Sequence, residues 1–201
     1  MTELTVLQAV RLKGRVSAAD LAKTLAEDPA DVIEAVGRLT AAGLLVEATT
    51  LRISPSGRDR LNALLAEERK GVDPAAMIAN YDEFRSVNGE FKSLVTDWQL
   101  KEGMPNTHED ADYDAAVLTR LDSVHQRVVP IIEAAATQLP RLSTYSAKLV
   151  AALDKIKAGD IAWLTRPLID SYHTVWFELH EELILAAGMT REQAARSGDA
   201  Q

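Results

Sequence analysis

The sequence predicts a mostly α-helical protein in two parts. The first part consists of three helices, a short β-hairpin and one further helix, and the second part is an antiparallel four-helix bundle. Apolar residues recur at the helical period over most of the chain, and the period changes to two only between positions 44 and 53. Four long helical stretches then follow Gly71-Val72-Asp73-Pro74, which is the expected boundary between the parts.

Helix start and stop signals divide the first part into separate elements. Gly14 ends the first helix, Ser17 is a good N-cap for the second, and Asp28-Pro29 begins the third. Gly43 stops the third helix. The apolar stripe that we expect to be buried on this third helix consists of Val32, Ile33, Val36 and Leu39.

A hairpin and a further helix follow the third helix. Residues 44–47 and 51–53 alternate as short strands around Ala48-Thr49-Thr50, and Ser54-Pro55 then begins the next helix. The order of elements, and three segments in particular, resemble winged-helix bacterial regulators of the MarR type. The segments are Val16–Ala22, Leu39–Leu45 and Ile53–Arg58. This resemblance covers about the first third of the chain, and it implies a winged helix-turn-helix that binds DNA and regulates transcription.

The second part is expected to contain helices at about 74–101, 111–138, 141–157 and 160–187. A loop at Gly103-Met104-Pro105-Asn106 and breaks at Leu139-Pro140 and Ala158-Gly159-Asp160 separate them. Pro130 and Pro167 fall inside these helices and should kink them unless each begins a new segment. The expected domains are therefore 1–70, 71–190 and a flexible C-terminal tail at 191–201.

Composition limits the functional classes. The chain has 201 residues, 47% of them hydrophobic, and no cysteine, which excludes disulfides, thiol catalysis and thiolate metal sites. Neither a signal peptide nor an apolar run of about 20 residues is present, so we expect a cytoplasmic protein without membrane association. The sequence also lacks nucleophile-elbow, phosphate-loop, dinucleotide and zinc-protease motifs, so we do not expect an enzyme or an organic cofactor.

Charge is distributed unevenly along the chain. Residues 1–70 hold ten basic and ten acidic residues, whereas residues 71–201 hold 12 basic and 20 acidic ones and account for the net charge of −8. Because an acidic domain repels phosphates, contact with nucleic acid is expected from the first part. The cations that could reach DNA there are Lys13, Arg15, Lys23, Arg38, Arg52, Arg58 and Arg60.

The expected recognition helix, residues 29–42, carries little that reads bases. Its predicted outward positions are Asp31, Glu34, Ala35 and Arg38, and only the arginine belongs to the set that usually contacts base edges. The three-residue hairpin loop is also too short to reach far into a minor groove. The other cations could touch phosphates, or they could be ordinary solvated surface charges.

Two carboxylate–histidine pairs suggest a divalent metal or small-ligand site in the bundle. Asp122 and His125 have the same three-residue spacing as Asp170 and His173, and His180 lies two turns further on. Glu90 and Asp97 could add oxygen ligands, and Glu178 and Glu181 lie nearby in sequence. The alternative is that these are local hydrogen-bonding pairs. Aromatic residues that could line a ligand cavity, or simply form core, are Tyr81, Trp98, Tyr113, Trp163, Tyr172 and Trp176.

A second resemblance extends over nearly the whole chain. The segments Val95–Gln99, Tyr113–Val117, Lys157–Asp160 and Pro167–Glu182 resemble a C-terminal accessory region of actinobacterial phosphoenolpyruvate-utilising, pyruvate phosphate dikinase-like proteins. It implies a non-catalytic regulatory module with a phosphotransfer enzyme as partner.

Three functions are therefore expected as alternatives. The first is a transcription-regulator-like protein whose acidic helical domain dimerises and senses an effector, so that the protein is a homodimer with DNA as partner. The second is an interaction module of a phosphotransfer enzyme. The third is a metal-binding helical bundle.

Overall fold

The computed structural model describes residues 1–189, which are mostly helical and divide into two compact units, Met1–Gly71 and a second unit that begins at Val72. The tail expected at 191–201 lies outside the described residues. In the described part of the chain, no helix is both long and apolar enough to cross a membrane.

Four helices and one hairpin form the first unit. They are α1 (Glu3–Lys13), α2 (Ala18–Leu25), α3 (Pro29–Ala41), β1 (Leu45–Glu47), β2 (Leu51–Ile53) and α4 (Pro55–Glu68), followed by a 3-10 turn at Arg69–Gly71. The expected caps are confirmed: the side chains of Ser17, Asp28 and Ser54 accept hydrogen bonds from the first turns of α2, α3 and α4.

The hairpin has a third, very short partner that the sequence analysis missed. Strands β1 and β2 are antiparallel, with Leu45 opposite Ile53. Val16, between α1 and α2, forms an antiparallel bridge with Leu51 on the outer side of β2. A one-residue bridge has no periodicity, so no pattern in the sequence indicates it.

The predicted faces of α3 were wrong at two positions. Ile33, expected in the buried stripe, is 61% exposed, and Ala35, expected outside, is only 6% exposed. Successive helical residues are turned by about 100°, so Ala35 lies on the same face as Val32 and Val36, while Ile33 falls outside that face. The exposed surface of α3 therefore has a different composition from the predicted one.

The described part of the second unit, up to residue 189, contains five helices. They are α5 (Pro74–Gln99), α6 (Ala111–Gln138), α7 (Thr144–Lys157), α8 (Ala162–Thr165) and α9 (Tyr172–Ala186), with a 3-10 turn at Pro140–Ser143. A small antiparallel hairpin, β3 (Leu100–Lys101) and β4 (Met104–Pro105), occupies the segment expected to be the end of a helix and a loop. Around one core, α5 packs on α6, α6 on α7, α7 on α9 and α9 on α5, which is a bundle-like arrangement.

The prediction of a single helix at 160–187 was wrong, because the helix is interrupted between α8 and α9. Arg166, which precedes Pro167, is extended, as the proline ring requires of its neighbour. Leu168 then takes a positive φ of 68°, and Ser171 caps a new helix. Pro130 has no such effect, since α6 continues through it.

Gly57 offers a direct test of how the first unit is assembled. A Cβ at this buried position would lie 2.0 Å from the carbonyl oxygen of Leu44, so Gly57→Ala is expected to destabilise the first unit by about 3 kcal/mol. Gly37→Ala is the matched control, because nothing lies within 4 Å of a Cβ there and α3 should gain about 0.5–1 kcal/mol.

Urea unfolding followed by far-UV circular dichroism measures both variants. The three tryptophans all lie in the second unit, so their fluorescence is an internal reference for unfolding of that unit. A denaturation midpoint of Gly57→Ala equal to that of the wild type would contradict the close approach of Leu44.

Candidate nucleic-acid interface

At least three of the seven cations predicted to contact DNA are engaged in ion pairs within the first unit. Lys23 pairs with Asp20 at 3.0 Å, and Arg38 pairs with Glu34 one turn away. Arg60 binds Glu3 through both carboxylate oxygens, which joins α4 to α1 and lowers the pKa of the Glu3 carboxyl. These three side chains are therefore less available to a nucleic acid than the sequence alone indicates.

The outward surface of α3 carries small or apolar side chains. Ala30, Gly37 and Ala41 are exposed, and Ile33 projects beside them. The one arginine of α3 is hydrogen-bonded to the carboxylate of Glu34. Among the residues that the structure describes, α3 thus contributes no cation without an acidic partner.

The α2–α3 segment is acidic as a whole. Residues 18–42 contain Asp20, Glu27, Asp28, Asp31 and Glu34 against only Lys23 and Arg38. The α2–α3 segment therefore has a net charge of −3, although the first unit is neutral overall. Positive charge must accumulate elsewhere on the same unit.

The positive charge lies around a cleft between the end of α1, the hairpin and the start of α4. We call this feature the basic cleft. It has a volume of about 330 Å³, and no carboxylate is among the residues that line it. The lining residues are Arg11, Gly14, Val46, Arg52, Ile53, Ser54, Pro55 and Arg58.

Local structure explains how these arginines come together. Leu51 is buried in the core, so the next residue of the strand, Arg52, points to solvent. The antiparallel bridge between Val16 and Leu51 places Arg15 opposite Arg52. Arg58 is exposed in the first turns of α4.

Three of these guanidinium groups have no ionic partner. Arg15, Arg52 and Arg58 form no ion pair with any residue in 1–189, in contrast to Lys23, Arg38 and Arg60. Arg11 and Lys13 lie at the same edge and do have interactions within the protein. The edge of the first unit that contains the cleft is therefore its most positive surface.

In the second unit, the structure does not bring the two carboxylate–histidine pairs together as a ligand set. Asp122 binds Lys157 at 2.7 Å, and Lys148 lies 3.7 Å from Asp170. No group of three His, Asp or Glu side chains suited to a metal ion occurs within residues 1–189. The expected additional ligands Glu90 and Asp97 are ion-paired with arginines of α6, Arg127 and Arg120.

The histidines of these pairs serve the packing of the helices. Nδ1 of His125 is hydrogen-bonded to the hydroxyl of Tyr172 at 3.2 Å, and His173 packs against the ring of Phe91. His180 is buried, and its Nε2 lies 3.2 Å from the hydroxyl of Tyr81. Burial lowers the pKa of both His125 and His173, because the charged imidazolium is poorly solvated there.

The aromatic residues proposed to line a cavity form core instead. Tyr81, Trp98, Tyr172 and Trp176 are all buried, while Tyr113 and Trp163 pack against the core from its edge. The ring of Trp176 stacks on Phe91 with centroids 4.3 Å apart, and its indole N–H donates to Asn88 Oδ1. These six residues therefore contribute to the packing of the helices.

Sequence analysis missed a buried charged cluster between α7 and α9. Glu182 is 1% exposed, binds Arg141 at 2.7 Å, and accepts a hydrogen bond from Tyr145. Lys148 lies 3.9 Å from the buried Glu178. The available signal was two glutamates one helical turn apart, Glu178 and Glu182, each next to a leucine of the core stripe of α9. Removing one partner of such a pair leaves a buried charge without compensation, which makes this cluster important for the packing of α9.

The lowered pKa values predict how the second unit responds to acid. A histidine whose folded pKa is depressed stabilises the fold above its unfolded pKa of about 6.5, and that stability is lost as the pH falls through the folded pKa. We therefore expect the free energy of unfolding to fall from pH 7.5 towards pH 5.5. His173→Phe should reduce this dependence, because it keeps a ring on Phe91 and removes the titrating group.

NMR titration of the imidazole resonances, together with urea unfolding at several pH values, measures both effects. If the NMR titrations gave pKa values at or above the ordinary histidine value of about 6.5 for both His125 and His173, the burial argument would be contradicted.

Comparison of the chain with protein-family models, with curated proteins and with solved structures found no match in any of the three. The chemical capacity of the molecule is therefore judged from its own residues. The basic cleft can bind anions through the guanidinium groups of Arg52 and Arg58, whereas the histidines and carboxylates of the two predicted pairs have structural partners.

Proposed function

We propose that this chain is a regulator of the winged helix-turn-helix type that contacts nucleic acid with its first unit and carries an antiparallel four-helix bundle as its second. The order α1, bridge, α2, α3, hairpin, α4 supports the first assignment, since a strand between the first two helices that joins the hairpin is typical of this fold. The ring of contacts among α5, α6, α7 and α9 supports the second.

One observation carries the functional part of the proposal. Arg15, Arg52 and Arg58 lie at one edge of a neutral unit, and none has an ionic partner within residues 1–189. Guanidinium groups bind phosphate oxygens well, and phosphate contacts supply most of the affinity in non-specific DNA binding.

The second unit then serves as dimerisation and effector domain. It carries the excess negative charge of the chain, so a DNA backbone repels it. Its surface includes exposed apolar side chains, among them Ile78, Ile161 and Leu168, which is 92% exposed. Such side chains are suited to contact with a second protein surface.

A second candidate function is an interaction module for a phosphotransfer enzyme. The specific observation that favours it is the outward surface of α3, where Ile33 is 61% exposed and the only arginine is tied to Glu34. An exposed isoleucine among small residues suits a protein partner better than a DNA groove.

DNA binding predicts a strong response to salt. The full chain is expected to retard DNA fragments at about 50 mM salt, and three phosphate contacts should cost about 40-fold in affinity between 50 and 200 mM. A gel-shift titration with mixed genomic fragments at both salt concentrations measures this. Absence of retardation at low salt by protein that is folded by circular dichroism would refute the proposal.

The second candidate predicts a different sensitivity. Ile33→Glu should abolish capture of a phosphotransfer enzyme from lysate, while Val46→Glu, at another exposed apolar position of the same unit, should leave capture unchanged. Affinity purification with quantitative mass spectrometry compares the two variants. Recovery of no such enzyme with the wild type, or equal recovery with both variants, would reject this candidate.

A further inference from the structure

The first unit presents two surfaces to a nucleic acid, and they differ in what they can bind. The outward surface of α3 is the one a helix-turn-helix inserts into the major groove. The basic cleft lies at the hairpin and the start of α4. If the proposed function is correct, one of these two surfaces makes the main contact with the nucleic acid. The side chains on each surface show which one is suited to it.

The α3 surface lacks the groups that read bases. Direct readout requires donors and acceptors that are free to meet base edges, chiefly Arg, Lys, Asn or Gln. Arg38 is the only such residue exposed on α3, and it would have to leave Glu34 to reach a base. Glu34 and Asp31 would then face the phosphates, which repel carboxylates.

The basic cleft has the complementary properties. Its arginines come from three elements, since Arg11 lies on α1, Arg52 on β2 and Arg58 on α4. Two of them have no ionic partner within residues 1–189. No carboxylate lines the cleft, and the nearest acidic residues in sequence, Glu47 and Asp59, are not among its lining residues.

The backbone around the cleft fixes the points from which these arginine side chains extend. Arg52 is held by its place in the β1–β2 ladder, opposite Val46. Arg58 is held through α4, whose start is fixed by the Ser54 cap. The positive end of the α4 dipole also points to this region and adds to the attraction for an anion. Side chains placed on regular elements are held more precisely than those on loops.

We infer that the basic cleft is a clamp for the sugar-phosphate backbone of duplex DNA, so that the first unit holds DNA through phosphates and does not read its bases with α3. This inference rests on the proposed function and identifies which residues perform it. Binding of this kind is independent of sequence and strongly dependent on salt, because phosphate contacts position a protein but carry no sequence information.

Fluorescence anisotropy with the full chain and two labelled duplexes of unrelated sequence tests the inference. The variants are Arg52→Gln, Arg58→Gln and their double, and the matched control is Arg38→Gln. All three positions are exposed, so circular dichroism should show folded protein in each case. The slope of log K against log salt is negative, and each lost phosphate contact reduces its magnitude by about 0.9. The slope of the double variant should therefore be less steep than that of the wild type by about 2.

The expected result has three parts. The wild type binds both duplexes with equal affinity, the double variant loses at least about ten-fold for both, and Arg38→Gln stays within about two-fold of the wild type. Inorganic phosphate at matched ionic strength should displace the duplexes no better than chloride. Preferential displacement by phosphate would overturn the inference, because it would identify a small phosphate ligand in place of a DNA backbone.

Two further outcomes separate this inference from the proposed function. If Arg38→Gln weakens binding to one duplex more than the other while the double cleft variant binds normally, α3 reads bases. The clamp is then refuted and the DNA-binding function stands. If the folded wild type binds neither duplex at low salt, both are refuted.

Discussion

The hydroxyl of Ser54 joins the start of α4 to the segment between α3 and β1. The arrangement of the basic cleft depends on this connection. The hydroxyl donates to the carbonyl of Gly43 at 2.6 Å and accepts from the amide of Gly57 at 2.9 Å, while the amide of Ser54 donates to Leu44. One residue therefore caps α4 and fixes the chain between α3 and β1. The approach is so close that only glycine fits at position 57. Because α4 is held here, Arg58 lies beside Arg52 on the basic cleft.

The neutral charge of the first unit conceals a separation of charge. Its acidic residues concentrate on α2 and α3, where the two cations are bound to neighbouring carboxylates. Its arginines without an ionic partner within residues 1–189 lie on other elements: Arg15 is next to the bridge, Arg52 is on the hairpin and Arg58 is at the start of α4. Exposed ion pairs of this kind contribute little stability, so their main effect is on the surface that a ligand meets. We propose that this distribution, and not the net charge, decides which part of the first unit binds an anion.

In the second unit, the histidines and carboxylates that were predicted to form a metal or ligand site contact other side chains of the helices. His125, His173 and His180 each contact an aromatic residue, and the carboxylates of the two predicted pairs lie against lysines. Phe84, Phe91 and Trp176 stack along the α5–α9 contact and fill the interior. The buried Glu182 is compensated by Arg141 from the other side of the bundle-like core. Close packing of this kind gives these histidines and carboxylates structural partners.

The sequence by itself determined the elements whose signals are local. Caps such as Ser17 and Asp28, the proline at the start of α3 and the two-residue period of the hairpin act within a few residues, so their effects are visible in one dimension. It also located the cations of the first unit. The pairs Lys23–Asp20 and Arg38–Glu34 are also local, since each joins residues one helical turn apart. Only the tertiary structure decided that Arg60 is neutralised and that Arg15 lies by Arg52, because the Arg60–Glu3 pair spans 57 residues and the bridge between Val16 and Leu51 joins distant segments. The break before α9 is local, since Pro167 and the Ser171 cap impose it. The exposure of Ile33 and the dispersal of the Asp-x-x-His pairs were decided by the tertiary structure. Each depends on which face of a helix meets another element, and spacing along the chain does not specify that partner.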